Sequence, residues 1–111
     1  MFHQGQIDGG VVQALGYALT EEIHSDDGHV LNPNLGEYKM PTSRDIPELT
    51  TVLLEEPAGP GPFDGKAIGE IPNVPLAAAI ANAVHDAVGV RIASLPITAE
   101  KIHTALRSQW S

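Results

Sequence analysis

A carboxylate ends a small-residue loop in this chain: Gly61-Pro62-Phe63-Asp64-Gly65-Lys66-Ala67-Ile68-Gly69-Glu70 runs directly into Ile71-Pro72. Held there, Glu70 has the chemistry of a general base acting on a bound substrate or cofactor. Glycine at 61, 65 and 69 permits positive φ and close approach of the backbone to a ligand. Pro62 and Pro72 stiffen the loop by fixing φ and withholding donors. The plainer reading of Glu70 is a carboxylate that complements the dipole at a helix start. Local pattern alone leaves both open. The five histidines, His3, His24, His29, His85 and His103, have no ligand-like spacing, so no metal site is expected from this chain's side chains. No serine lies in a nucleophile elbow, and no glycine run matches a P-loop or a dinucleotide fingerprint.

The elements that must position this loop follow from periodicity. Ile7, Val11, Val12, Leu15, Ala18, Leu19 and Ile23 recur at three- and four-residue steps and predict one apolar helical stripe ending at the turn Ser25-Asp26-Asp27-Gly28. Gly9, Gly10, Ala14 and Gly16 on that helix require a close neighbour, either another piece of backbone or a ligand. Asn32-Pro33-Asn34-Leu35-Gly36 reads as a turn and Glu37 to Met40 as a short extended piece halted by Pro41. Thr50 to Glu55 is the best strand, and its apolar run predicts burial on both faces. Beyond the loop, Asn73 or a neighbour caps a central, largely buried helix from about Pro75 to Val88, stopped by Gly89. A last helix begins at Thr98 with Ile102, Ala105 and Leu106 inward, and Trp110 is expected to dock the tail.

Composition narrows the function. At 111 residues the chain has the size of one domain, expected to bury about two-thirds of its unfolded surface. Fourteen acidic against six basic residues, net charge −8, disfavour nucleic acid and anionic membrane as partners. Without cysteine the chain can build neither a disulfide nor an iron–sulfur site, which fits a cytoplasmic location. No apolar run reaches the roughly 18 residues of a membrane span.

Several motifs occur together and in order. They are Gly5-Gln6-Ile7-Asp8-Gly9-Gly10-Val11-Val12-Gln13-Ala14-Leu15-Gly16, Asn32-Pro33-Asn34, Tyr38-Lys39-Met40-Pro41-Thr42, Gly61-Pro62-Phe63 to Gly69-Glu70, Ala79 to Val84, Gly89-Val90-Arg91 and Leu95-Pro96-Ile97-Thr98. In that order they resemble the C-terminal part of the molybdenum-binding large subunit of the xanthine dehydrogenase and aldehyde oxidoreductase family, over nearly the whole chain. The resemblance implies a molybdenum–molybdopterin cofactor, in plain or dinucleotide form, and oxidation of aldehydes or N-heterocycles with an oxygen derived from water. Glu70 aligns with the active-site base at the end of the family's Gly-Glu motif. Gln6 aligns with a glutamine that approaches the pterin, and Lys66, Ala67, Ile68 and Gly69 with the loop that lines it.

Asp64 stands where bacterial members often carry glycine, and its charge would repel an anionic pterin phosphate unless it points away. Large subunits of the family are many hundreds of residues long, so the chain is expected to begin partway through the cofactor-binding domain. On one reading it is a catalytic segment, inactive alone, completed by the rest of the large subunit and by iron–sulfur and flavin subunits. On the other it is a remnant acting as a small structural or self-associating module. Either way, apolar faces once covered by missing parts are expected to drive homo-oligomers. The expected fold is α+β: residues 1–111 form one domain, three helices with a small sheet of short strands, within a molybdopterin-binding domain.

Overall fold

The computed structural model describes residues 2–56 and 59–109. Helix α1 spans Phe2–Leu19, α2 Leu35–Tyr38, α3 Leu76–Val88 and α4 Ala99–Gln109. Between α1 and α2, β1 (Ser25–Asp26) pairs antiparallel with β2 (His29–Val30). Three helices longer than one turn and one two-stranded ladder are thus present among the described residues.

Helix α1 is the platform. Its carboxyl half carries buried Ala14 and Ala18, Val90 and Ile97 are likewise buried, and the Ile97 N–H donates to the Ala18 carbonyl at 2.6 Å. The helix ends four residues before Ile23, contrary to the periodicity. The Gly16 carbonyl accepts from both Thr20 N and Glu21 N, closing the last turn. Beyond it the Asn32 side chain takes over the backbone, accepting from His24 N at 2.9 Å and donating to the Glu22 carbonyl at 2.7 Å. Ile23 is left 65% exposed. The predicted turn at 25–28 is the tip of a hairpin, with Asp27 (φ 44°) and Gly28 (φ 79°) both left-handed, the pair a two-residue type I′ loop demands.

Glu37 to Met40 is not extended. The Asn34 side chain accepts from Glu37 N and donates to the Glu37 carboxylate at 2.7 Å, a reciprocal cap that nucleates the single turn α2. Helix α3 runs where expected and stops at left-handed Gly89, whose N–H returns to the His85 carbonyl. It is not a buried central helix, because none of its residues is fully buried. Asn73 does not cap it; Pro75 occupies that position without a side-chain cap. Helix α4 starts at Ala99, directly after Thr98, whose Oγ1 accepts from Lys101 N, and it half-buries Ile102, Ala105 and Leu106. The expected docking of Trp110 lies outside the described residues.

Thr50 to Glu55 forms no strand, and Val52 and Leu54 are 75% and 90% exposed where burial on both faces was expected. A strand needs a neighbour to take its N–H and C=O groups, and no described backbone group bonds to this segment. The same deficit is visible globally. A 111-residue domain has a radius of gyration of about 13 Å, against 17.6 Å here. The chain exposes 8664 Å², so it buries about half of its unfolded surface rather than the expected two-thirds.

Candidate functional site

The candidate loop is a backbone clasp. Gly61 N donates to the Gly65 carbonyl and Gly65 N to the Pro62 carbonyl, each at 3.1 Å. Gly61 and Gly65 have φ of −85° and −63°, so positive φ is not what glycine supplies. The left-handed residues are Phe63 (φ 57°) and Asp64 (φ 60°). What glycine supplies is room for the chain to approach itself, since a Cβ on Gly61 would lie 2.8 Å from the Gly65 oxygen. Gly69 faces open space.

From Ile71 the chain turns once, through Asn73, and packs on α1. Gly10 leaves room for the Pro72 ring, Tyr17 Oη donates to the Asn73 carbonyl at 2.8 Å, and Asn73 Nδ2 donates to Gln13 Oε1 at 3.1 Å. Asn73 Oδ1 is buried with no donor. Packing therefore accounts for Gly10, and likewise for Gly16, which is covered by Glu21 and Pro41, whereas Gly5 and Gly9 meet nothing. Glu70 sits just ahead of the anchored turn, its carbonyl accepting from Asn73 N at 3.0 Å, and its side chain is exposed. The predicted helix dipole is only one short turn.

An open cleft of about 830 Å³ brings Lys66, Ala67 and Ile68 together with His3 and Ile7 of α1. Gln6, Gly69 and Glu70 do not line it, although their neighbours Ile7, Ile68 and Ile71 do. The sequence did not point to the opposite wall, Val52 to Glu56. The signal for it was the β-rich run at 50–55, which marks a segment lying alongside something but not what that is. Among the described residues no three His, Asp or Glu side chains converge as a metal-ligand set.

A pterin cofactor requires hydrogen-bonding groups left free by the protein. The backbone N–H groups of residues 66 through 70 donate to no described acceptor, and the Gln6 amide, the Lys66 ammonium and the Glu70 carboxylate have no described partner. These groups suit the polar edge of a heterocycle and one negative charge. Glu55, Glu56 and Asp64 line the same cleft and oppose further negative charge, so cations for a phosphate must come from elsewhere. The fit is good for the heterocycle and incomplete for its phosphate.

Residues 1–47 match the family model of the molybdopterin cofactor-binding domain. The chain is 43% identical over 102 residues to the xanthine dehydrogenase molybdenum-binding subunit of Escherichia coli O157:H7, covering 90% of this chain and 14% of that protein. It is 35% identical over 103 residues to the aldehyde oxidoreductase molybdenum-binding subunit PaoC of Escherichia coli K12, covering 89% of this chain and 14% of that one. The crystal structure of quinoline 2-oxidoreductase from Pseudomonas putida 86 superposes with a TM-score of 0.83 and 35% identity over 94% of this chain and 14% of that structure. The chain thus spans about one-seventh of the length of these relatives. With its ordered motifs, its backbone and its sequence all following that single portion of each, the chain belongs to the molybdenum hydroxylase family as a segment of the molybdenum-binding subunit.

Proposed function

We propose that this chain supplies the catalytic base and part of the pterin cradle of a molybdenum hydroxylase that oxidises aldehydes or N-heterocycles, completed by the rest of the large subunit and by iron–sulfur and flavin subunits. The observation that carries the reading is the run of five unused backbone N–H groups ending at an exposed carboxylate. Molybdenum–molybdopterin, when bound, supplies the two-electron oxidising centre. Lys66, Ala67, Ile68 and Gly69 offer backbone donors to its polar edge, and the Gln6 amide offers both donor and acceptor. Glu70 takes a proton at its carboxylate from the attacking water, a role for which a carboxylate suffices when the nucleophile is polarised by a neighbouring metal. The Ile71–Asn73 turn, pinned on α1 by Pro72 and by Tyr17 and Gln13, anchors the backbone directly after Glu70. Alone the chain is inactive, and exposed apolar residues away from the cleft, Ile23, Leu31 and Leu35 among them, lead it to self-associate.

Glu70→Gln in the reconstituted assembly tests this. Removing a general base lowers kcat about 10² to 10⁴-fold, while molybdenum content by metal analysis stays unchanged. Normal turnover by the variant would sink the assignment.

A further inference from the structure

We infer that residues 50–56 are a β-strand without its sheet, and that the missing neighbour is an apolar strand with a basic end contributed by the remainder of the large subunit; this rests on the family reading above. Three observations point there. First, exposure alternates with a period of two. Leu49 and Thr51 are half-buried and Leu53 is 49% exposed, while Val52 and Leu54 stand out at 75% and 90%. That is strand geometry laid on a body, with Thr51 Oγ1 fastened to Asp8 Oδ1 at 3.1 Å. Second, no backbone N–H or C=O of residues 50–56 bonds to a described group, so the segment offers a complete unused ladder edge. Third, Val52, Leu54, Phe63 and Ile71 all line the cleft, each more than half exposed.

The area agrees. A folded monomer of 11.7 kDa exposes about 5,900 Å², against 8664 Å² here. An excess of this size is of the order that obligate interfaces bury. Charge selects the occupant. In an antiparallel pair of two copies centred on Val52, Glu56 of one copy would face Glu48 of the other, and in a parallel pair Glu55 and Glu56 would face themselves. Like charges directly opposite destabilise a ladder. Those registers disfavour a second copy; because the chain spans about one-seventh of its relatives' length, the occupant is a strand from the remainder of the subunit, with Lys or Arg opposite Glu55 and Glu56.

The test co-expresses the 111-residue chain with the Escherichia coli O157:H7 molybdenum-binding subunit lacking its matching 102 residues, and follows amide hydrogen exchange. Amides 50–56 are expected to exchange freely in the isolated chain and to slow about a hundredfold or more in the complex. Successive N–H groups of a strand point to opposite edges, so Val52→Pro and Leu53→Pro probe the two edges separately. At least one of them should abolish co-purification, while both leave the melting temperature of the isolated chain unchanged because neither N–H has a partner there. A stable, active complex in which 50–56 still exchanges freely overturns this inference and spares the proposed function. Failure to form any complex overturns both. Protection that appears in the isolated chain and grows with its concentration makes a second copy the occupant and also overturns it.

Discussion

Pro72 packs directly against Gly10: a Cβ on Gly10 would lie 2.9 Å from the Pro72 Cβ, closer than real Cβ atoms approach. This contact sets the distance between helix α1 and the turn that follows Glu70. It also explains why a residue that weakens a helix by about 0.5–1 kcal/mol is placed within one.

Gly9 and Gly10 therefore respond oppositely to alanine. Gly9→Ala meets nothing within 4 Å and should gain about 0.5–1 kcal/mol from helix propensity. Gly10→Ala must displace a proline ring, an overpacking cost of about 1–3 kcal/mol, for a net loss of about 1 kcal/mol. Thermal unfolding by circular dichroism checks both; equal shifts of the same sign would refute the contact.

Asn32 is a buried amide, 8% exposed, that satisfies His24 N and the Glu22 carbonyl at the base of the hairpin. Asn32→Ala leaves both backbone groups without their partner and should cost about 1–3 kcal/mol. Amide exchange at His24 should accelerate with it. The same variant separates the hairpin from the site, because the Asn32 side chain bonds to His24 and Glu22 and to nothing in the 61–73 loop; exchange in that loop should not change.

Some of this was legible from residues alone, and the failures share a cause. Helix α4, the stop of α3 at Gly89 and the left-handed Gly28 follow from local rules of capping and backbone freedom, so sequence suffices for them. Helix α1 was overextended because Ile23 is in phase with the stripe, while the group that diverts the chain, the Asn32 amide, lies far along it. Asn34 and Glu37 carry a local capping signal, which the surrounding Asn-Pro-Asn-Leu-Gly turn composition masks. At the site, the order of motifs pointed to residues 66–70, of which Lys66, Ala67 and Ile68 line the cleft. It could not place Val52 to Glu56 on the same cleft, because that pairing depends on contacts between distant segments. Glycine at 61 suggests φ freedom by its type, whereas the fold uses it for space beside the Gly65 carbonyl.

Lys101 closes the carboxyl-terminal elbow. Its ammonium donates to the Leu95 and Pro96 carbonyls at 3.2 and 2.9 Å, with the Ser94 carbonyl at 3.5 Å, beside the Ile97 that bonds to Ala18. Lys101→Met keeps the aliphatic stem and removes the charge, and should cost about 1–2 kcal/mol, the scale of a partly exposed charged hydrogen bond. The Ile97 amide should exchange faster as the elbow loosens; an unchanged rate would show that the ammonium does not hold it.

Two groups, exposed Asp45 and half-buried Tyr38, act on opposite limbs of the stability profile. Thr42 donates to Asp45 Oδ2 from both its hydroxyl and its N–H at 2.7 Å, which holds the Asp45 carboxyl below its ordinary value. A depressed carboxyl contributes stability that is complete above its unfolded value near 3.9 and is lost as pH falls through the lower folded value. The Tyr38 phenol is raised, chiefly by its hydrogen bond with the Glu21 carboxylate, then by burial and by the Glu21 charge. Its contribution is complete below the unfolded value near 10 and is lost as pH rises through the higher folded value. Asp45→Asn should therefore flatten the acid limb of the stability profile and leave the alkaline limb alone, while Tyr38→Phe should do the reverse. Because Tyr38 reaches across to Glu21, which itself covers Gly16, the alkaline limb reports on the carboxyl end of α1. Tyrosinate absorbance rising at an ordinary tyrosine value in the folded chain would break that link.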